Sequence, residues 1–344
     1  ANTVVSISHD NFNSETTYSV QVTTAKDTSG NQLISGSVPN PWTFLTADVT
    51  LPSISSASPS NNSYSIDLDQ DIVITFSEAM NTSSLSYSSS PNPGGWSFSW
   101  NSAHTVVTLT HSDFSEQTNY EFEVTHAEDK SGNDLSSNFI LSFTTGDFTA
   151  PTITSTTPSN SSSDVLVNQD IVITFSEQIS STNFTYTISP ALTNKTISWN
   201  SGYTELTISH DNFASSTNYI VQVTGAKDVA GNQLVSGSIA NPWSFTSEDI
   251  IGPYVTGSSP TNQSTGISTS ATIVITFSEA MNQTSLTYTS NPNPGNWSVS
   301  WNSGSTIATF SHPIFYENKD YTFKITSAKD ISGNELSGGS YELI

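Results

Sequence analysis

Short hydrophobic runs separated by turn-forming residues set the pattern of this chain. In the stretch 151–248, β-branched residues fill 171–174 and are followed by Phe175, and apolar and polar residues alternate in 205–208. Runs of this kind and length are typical of strands in a half-buried sheet. Similar runs stand at 151–157, 186–188, 196–199, 219–223 and 243–245. The stretch therefore predicts seven short strands, joined by turns rich in Gly, Pro, Asn and Asp, with no helix.

This pattern repeats about every 100 residues. The phrase Asp-x-x-Gly-Asn-x-Leu begins at Asp27, Asp129, Asp228 and Asp330, at spacings of 102, 99 and 102 residues. A unit of about 100 residues with seven short strands is typical of an immunoglobulin-like sandwich. We therefore expect an all-β chain of tandem immunoglobulin-like β-sandwich modules in an elongated array. The predicted divisions are a part-module at 1–49 and modules at 50–148, 149–250 and 251–344.

A longer period indicates that two module types alternate. An offset of 201 residues aligns Trp42 with Trp243, and about half of the residues in 1–143 are identical to those in 202–344. Duplication in pairs suggests that the interface between neighbouring modules matters. The junctions are short and contain Pro52, Pro151 and Pro253. Because they are not Gly/Ser tethers, they predict a stiff rod.

Both end modules are expected to be incomplete. Residues 1–49, which open on the apolar run 4–7, correspond to the last three strands of a module, and 251–344 lacks most of the final strand. One explanation is a window cut from a longer chain whose export signal lay upstream. The other is that neighbouring subunits complete the open modules by β-strand addition, which would build a filament.

Charge narrows the choice of partners. The chain has 30 acidic residues against 7 basic ones, a formal net charge of −23. This balance argues against binding nucleic acid or anionic lipid, both of which require Lys and Arg. Cysteine is absent, which favours a prokaryotic source over a secreted eukaryotic one. No apolar run approaches the roughly 20 residues that span a bilayer, so we expect no direct membrane insertion and an extracellular location.

Repeated phrases resemble those of a known family. They are IVITFSEAMN at 72–81 and, slightly varied, at 272–282, TNYIVQVTGAKDVAGNQL at 217–234, and NPWSFT at 241–246. Their order and repetition are similar to the bacterial Ig-like domains first described in S-layer proteins of the SbsA type. The resemblance covers every repeat. It implies spacer modules in S-layers, adhesins and secreted surface proteins, without enzymatic activity.

Acidic residues suggest calcium in three places. Asp67, Asp69, Asp71 and Glu78 have EF-hand spacing, but Ile72 stands where the loop needs Gly, so this interpretation fails. A calcium site between modules could use the junction acids Asp48, Asp147 and Asp249. The Asp-x-x-Gly-Asn segments could also bind a cation, although an Asx-type turn explains them better. Lys26, Lys227 and Lys329 precede three of these turns, and Glu128 precedes the fourth.

The sequence contains no motif that indicates a catalytic site. His9, His111, His210 and His312 share one repeat position, where packing near Phe12, Phe114, Phe213 and Phe315 is the expected role. No Gly-x-Ser-x-Gly elbow, zinc spacing or phosphate loop occurs. We predict no catalytic, cofactor-binding or metal residue. Eight sequons are candidates for N-glycosylation: Asn61, Asn81, Asn160, Asn183, Asn194, Asn262, Asn282 and Asn296.

The expected function is therefore structural: a prokaryotic cell-surface filament, S-layer or stalk that self-associates through module edges or ends. One alternative is an adhesin stalk whose binding head lies outside this window. The loops before Trp96 and Trp297 would then touch a partner if those side chains are exposed, whereas buried side chains would belong to the core. A second alternative is a set of accessory modules of a secreted hydrolase.

Overall fold

The computed structural model describes residues 3–344, which form two compact units divided after Phe148. The regular secondary structure of the described chain is almost entirely β-strand, and its helical content is two single-turn 3-10 helices, at Ser181–Asn183 and Gln283–Ser285. This confirms the predicted all-β chain of tandem immunoglobulin-like modules. Among the described residues no helix is long and apolar enough to cross a membrane.

The first unit begins with a two-stranded antiparallel sheet of β1 (Thr17–Val20) and β2 (Trp42–Leu45). Three strands were predicted for residues 1–49, and the run 4–7 was expected to be one of them. That prediction is wrong: Val4, Val5 and Ile7 are exposed and outside any strand. In the complete modules the corresponding strand lies between two partners, and the described part of this segment contains neither.

A complete sandwich follows in the first unit. Its first sheet has the order β3-β5-β8-β7 and its second the order β4-β10-β9-β6. The strands are β3 (Ile54–Ser58), β4 (Ser63–Ile66), β5 (Ile72–Phe76), β6 (Ser86–Ser90), β7 (Ser97–Trp100), β8 (Val106–Thr110), β9 (Asn119–His126) and β10 (Phe139–Thr145).

The second unit contains two sandwiches. The first repeats the two four-stranded sheets, as β11-β13-β16-β15 and β12-β18-β17-β14. Its strands are β11 (Ile153–Thr157), β12 (Ser162–Val165), β13 (Ile171–Phe175), β14 (Thr185–Ser189), β15 (Thr196–Trp199), β16 (Glu205–Ser209), β17 (Asn218–Gly225) and β18 (Trp243–Ser247).

The last sandwich has a four-stranded sheet, β19-β20-β23-β22, and a three-stranded sheet, β21-β24-β25. Its strands are β19 (Val255–Ser259), β20 (Ile273–Phe277), β21 (Thr287–Asn291), β22 (Ser298–Trp301), β23 (Ile307–Ser311), β24 (Thr322–Ser327) and β25 (Tyr341–Leu343). The counterpart of β12 is not a strand here, and β25 is only three residues long.

The count of seven strands for 151–248 is therefore one short. The additional strand is β12, which pairs in parallel with β18 at Ser162 and Val165. Between these residues Asp164 has a φ of 56°, which interrupts the regular alternation. A short polar strand of this kind, Ser-Ser-Asp-Val, has no hydrophobic period from which it could be predicted.

Each sandwich has its own apolar core. In β5, β13 and β20 the run Ile-Val-Ile-Thr-Phe places its first, third and fifth side chains in the interior. Buried apolar residues fall into three clusters, and each cluster is confined to one module. Because a strand projects alternate side chains to opposite faces, this run is suited to a position between two sheet neighbours.

A tyrosine secures the same corner in every module. The hydroxyl of Tyr219, at the start of β17, accepts a hydrogen bond from the Ala214 backbone N–H at 3.0 Å. The ring is 3% exposed and stacks on Phe245. Tyr18, Tyr120 and Tyr321 make the equivalent bond, also five residues upstream. This is the tyrosine corner of immunoglobulin-like sandwiches.

We expect Tyr219→Phe to lower the free energy of unfolding of the central module, the sandwich formed by β11 to β18, by about 1–3 kcal/mol. The reason is that the partly buried Ala214 N–H loses its hydrogen-bond acceptor. Urea unfolding followed by fluorescence measures the change. Tyr203→Phe is the control, since Tyr203 is 39% exposed. Equal stabilities of the two variants would contradict a structural role for the corner hydroxyl.

Candidate functional site

Carboxylates from three separate parts of the sequence meet beside the start of a module. In the first unit they belong to Asp48, Glu78 and Asp129, and one oxygen of each lies within 4.8 Å of the others. Asp48 follows β2, Glu78 follows β5, and Asp129 follows β9. We call this the first carboxylate cluster.

The second unit repeats the arrangement with Asp249, Glu279 and Asp330, again within 4.8 Å of one another. We call this the second carboxylate cluster. It lies where β18 of one sandwich leads into β19 of the next. The recurrence shows that the cluster belongs to the repeat rather than to one module.

The innermost carboxylate of each cluster organises a turn. Asp129 is 1% exposed. One of its oxygens accepts from the backbone N–H groups of Ser131 and Asn133, at 2.7 and 2.9 Å. The other accepts from the Asn133 side-chain amide at 2.8 Å. Asp330 is bonded to Asn334 in the same way. The Asx-type turn predicted for Asp-x-x-Gly-Asn is confirmed.

The junction aspartate connects neighbouring modules. The Ser14 hydroxyl donates to the Asp48 carboxylate at 2.9 Å, and the Thr50 backbone N–H donates to the same oxygen at 2.9 Å. On the other side, the Asn133 amide donates to the Asp48 backbone carbonyl at 3.3 Å. The side-chain and backbone oxygens of Asp48 therefore bind groups from two consecutive modules.

The same ties recur at the second cluster. Ser215 donates to the Asp249 carboxylate at 2.8 Å, and the Asn334 amide donates to its backbone carbonyl at 3.1 Å. Burying a polar group without a partner costs free energy, so these bonds hold the junction in one arrangement. Asp48 and Asp249 therefore each bind groups on both sides of a junction within their own unit.

The clusters shift the acidity of their members in opposite directions. Burial, followed by the charges of Asp48 and Asp129, raises the pKa of Glu78. Burial and the charges of Asp249 and Asp330 likewise raise the pKa of Glu279. In contrast, hydrogen bonds from the Thr50 backbone and the Ser14 side chain lower the pKa of Asp48. The ionised form of each glutamate is therefore destabilised by burial and by the negative charges of the neighbouring aspartates.

Carboxylate oxygens are the ligands that Ca²⁺ takes, at six to eight per ion. Each cluster brings three carboxylates together, so these residues could hold a divalent cation if further oxygens completed the shell. The junction position suggested for calcium therefore coincides with a real convergence at Asp48 and Asp249. Within its own unit, Asp147 accepts a hydrogen bond from Gln117 at 2.7 Å.

The rejected EF-hand is not formed. Residues 72–76, which would belong to its loop, are the regular strand β5. Asp67 and Asp69 are exposed and lie before this strand, whereas Glu78 lies beyond it. A strand between them prevents these carboxylates from closing around one ion in the EF-hand manner.

The pKa directions predict a stability maximum at weakly acidic pH. A raised pKa of Glu78 and Glu279 means that folding strengthens proton binding, so stability increases as pH falls from neutrality towards about 4.3, the ordinary glutamic acid value. A lowered pKa of Asp48 acts in the opposite sense, and its contribution is lost below about pH 3.9.

We therefore expect the melting temperature, measured by calorimetry in chelator, to increase between pH 7 and about pH 4.5 and to fall at lower pH. Part of the increase reflects relief of the general negative charge. A Glu78→Gln, Glu279→Gln double variant isolates the cluster contribution, because it should reduce the increase and retain the acid-side fall. An unchanged profile in the double variant would contradict the assignment.

One protein-family model matches three successive stretches of the chain, at the spacing of the repeat. Residues 48–145, 147–247 and 249–342 each match the family model of the bacterial Ig-like domain. The chain belongs to the bacterial Ig-like domain family. The sequence resemblance is thus confirmed at the level of the family, and the three bacterial Ig-like domains contain the sandwiches described above. No curated protein sequence matches the chain.

Three solved structures illustrate the similarity found by structure comparison. The I-band fragment I67–I69 of titin has 9% identity and a TM-score of 0.48, covering 86% of this chain and 97% of that one. InvD of Yersinia pseudotuberculosis has 14% identity and a TM-score of 0.35, covering 85% and 97%. The S-layer protein rSbsC(31–844) has 11% identity and a TM-score of 0.22, covering 86% and 54%.

The repeated histidine has a structural position in each bacterial Ig-like domain. The His111 ring lies 3.8 Å from the Phe114 ring, between centroids, and its Nε2 is 3.0 Å from the Gln70 carbonyl oxygen. His210 and His312 repeat both contacts. In the part-module, His9 stacks on Phe12. The predicted packing of these histidines on phenylalanine is confirmed.

The two loop tryptophans belong to the edge of the core. Trp96 is half-buried, its indole N–H donates to the Asn92 side chain at 2.9 Å, and its ring contacts Tyr87 and Phe122. Trp297 is held equivalently by Asn293. These contacts favour the core interpretation over an exposed ligand-binding loop. In the central domain, which has no tryptophan there, Leu192 is buried in the same loop.

The sequons are mostly exposed. Asn81 is half-buried, and its side chain accepts from Ser83. Asn61, Asn160 and Asn262 accept backbone hydrogen bonds from Ser142, Ser244 and Ile344 through their side-chain oxygen. The other exposed ones are Asn183, Asn194, Asn282 and Asn296. Glycosylation of these eight residues stays a prediction.

One group of candidate metal-binding side chains could not be identified from the sequence alone. His126, Glu128 and Asp134 come within 4.8 Å of one another in the first complete domain. A partial sequence signal was available, because Glu128 stands where three other repeats have Lys. His126 and Asp134 join this group because of the strand register and the turn geometry, and neither can be derived from the local sequence.

Proposed function

We propose that this chain is a non-enzymatic structural segment of a prokaryotic cell-surface protein, such as an extracellular filament, an S-layer of the SbsA type or a stalk. The observation that carries the proposal is the separation of the buried apolar residues into three cores, one in each bacterial Ig-like domain. The tyrosine corner, the Asx-type turn and the histidine–phenylalanine contact all recur at the repeat spacing. Such a chain is built to set length and spacing.

The joints support a mechanical role. At Asp48 and Asp249, side-chain and backbone oxygens bind groups of consecutive modules. These bonds order the residues between sandwiches, which a flexible tether would leave free. A structural segment that transmits position from one domain to the next requires ordered junctions of this kind.

The surface supports an extracellular location and self-association. A net charge of −23 keeps such a chain soluble and opposes binding to nucleic acid and anionic lipid. The edge strands β7 and β15 carry hydroxyl groups and one exposed apolar side chain each, Phe98 and Ile197. Unprotected strand edges can pair with another copy, so we propose module edges or ends as the contacts of an assembly.

Localisation and electron microscopy test the proposal. Antibodies against the recombinant chain should label intact cells of the source, and externally added protease should remove the label. Micrographs of the native material should show filaments, a surface lattice or stalks. Label found only after lysis would overturn the surface assignment. A native polypeptide that joins these domains to a catalytic domain would replace the structural role with that of accessory modules.

A further inference from the structure

The first complete domain contains a chemical group that the other repeats lack. His126, at the end of β9, lies beside Glu128 and Asp134 of the following turn. Its Nδ1 is 2.9 Å from an Asp134 carboxylate oxygen, and its Nε2 is 3.7 Å from a Glu128 oxygen. A nitrogen of His126 and one oxygen of each acid lie within 4.8 Å of one another.

The combination of His, Glu and Asp at these three positions does not occur in the other repeats. At the position of His126 the other repeats have Thr24, Gly225 and Ser327. At the position of Glu128 they have Lys26, Lys227 and Lys329, and at the position of Asp134 they have Gln32, Gln233 and Glu335. The paired backbone is the same in each repeat, because residues 128 and 134 form a bridge that recurs at 227/233 and 329/335.

The replacement inverts the local charge. In the last domain, the Lys329 ammonium group lies 2.9 Å from a Glu335 carboxylate oxygen, an ion pair that balances itself. In the first domain the lysine is replaced by a third candidate ligand, so two carboxylates and an imidazole face one another. The repeated lysine is thus absent from this position, and the lysine of this turn is Lys130.

We propose that His126, Glu128 and Asp134 bind a divalent transition metal ion, with Zn²⁺ as the representative. One imidazole and two carboxylates suit this class of ion, and an open zinc site commonly has three protein ligands and a water. The presence of an imidazole separates this site from the first and second carboxylate clusters, whose oxygen ligands suit harder ions.

Binding one ion requires side-chain rotation, because different ring nitrogens of His126 face Asp134 and Glu128. Two ligand atoms bonded to one tetrahedral zinc at about 2.1 Å lie about 3.4 Å apart. The His126–Asp134 distance is 2.9 Å, so these two groups would have to separate by roughly half an ångström to admit the ion. All three side chains are partly exposed, at 43%, 34% and 59%, so Glu128 and the ring can rotate to face one ion. A bound ion would tie the end of β9 to its turn.

Titration calorimetry of the chelator-stripped full chain with ZnCl₂ tests the site. We expect about one zinc ion per chain, with a zinc-dependent increase in melting temperature through linkage. The variants His126→Ser, Glu128→Lys and Asp134→Gln install residues that the other repeats have at these positions, so each is compatible with the fold. Each should weaken zinc binding by about tenfold or more.

A Glu78→Gln, Glu279→Gln variant is the matched control, because it alters the first and second carboxylate clusters and leaves His126 in place. Zinc binding that persists in this control and is lost in His126→Ser supports the proposal. The absence of zinc binding with zinc in large excess would overturn it. Binding unchanged by His126→Ser would also overturn it, since the ion would then lie elsewhere. Circular dichroism verifies that each variant is folded.

Discussion

Trp243→Ala is expected to lower the free energy of unfolding of the central domain by about 3–5 kcal/mol. Trp243 is 1% exposed, one of the largest fully buried side chains, and begins the strand β18. Removing the indole leaves a cavity in a core whose members all come from this domain. Because the domain cannot draw on a neighbouring core, the loss should fall on it alone.

Calorimetry measures this effect, since a multidomain chain can show separate transitions. One transition should move to lower temperature while those of the other domains keep their positions. Trp42→Ala is the matched control at the same repeat position, where the side chain is 38% exposed and much less area is lost. A uniform shift of the whole melting profile would show that the three cores unfold as one and would contradict their independence.

The cores could be predicted from the sequence because their signal is local. The run Ile-Val-Ile-Thr-Phe identifies a buried strand wherever it occurs, and its alternate burial follows from strand geometry alone. The strand β12 could not be found in this way. It owes its existence to pairing with β18, more than 80 residues later, and its own residues show no hydrophobic period.

The members of the carboxylate clusters can be identified one by one from the sequence, but their convergence cannot. The sequence identifies Asp48 as a junction residue, Asp129 as a turn residue and Glu78 as part of a repeated phrase. Their convergence is a property of the tertiary structure, because β2, β5 and β9 deliver them from distant parts of the chain. The repeat offered one clue: each member recurs after the same 99 and 102 residues.

The site at His126 shows the opposite case. There the useful signal is the departure from the repeat, at three positions whose side chains only the fold brings together. Repetition therefore identifies residues that maintain the domain and its joints. Loss of repetition at residues in mutual contact identifies residues free to acquire chemistry of their own.

Two neighbouring carboxylates of the second cluster should respond to neutralisation with opposite signs. Asp330→Ala is expected to destabilise the last domain by about 2–4 kcal/mol, because the nearly fully buried carboxylate accepts from the Asn334 backbone and side chain. Glu279→Gln should instead raise stability in chelator at neutral pH. Burial and the charges of Asp249 and Asp330 raise the pKa of Glu279, so its ionised form is the unfavourable one.

Urea unfolding at pH 7 in chelator compares the two variants directly. Loss of stability in Asp330→Ala together with a gain in Glu279→Gln would show that hydrogen bonding dominates at the turn and repulsion dominates at the glutamate. The gain should vanish below about pH 4, where the wild-type glutamate is protonated as well. A loss in both variants would mean that Glu279 makes a favourable contact that outweighs the repulsion. Because the cluster recurs at Glu78, the same sign should be found there.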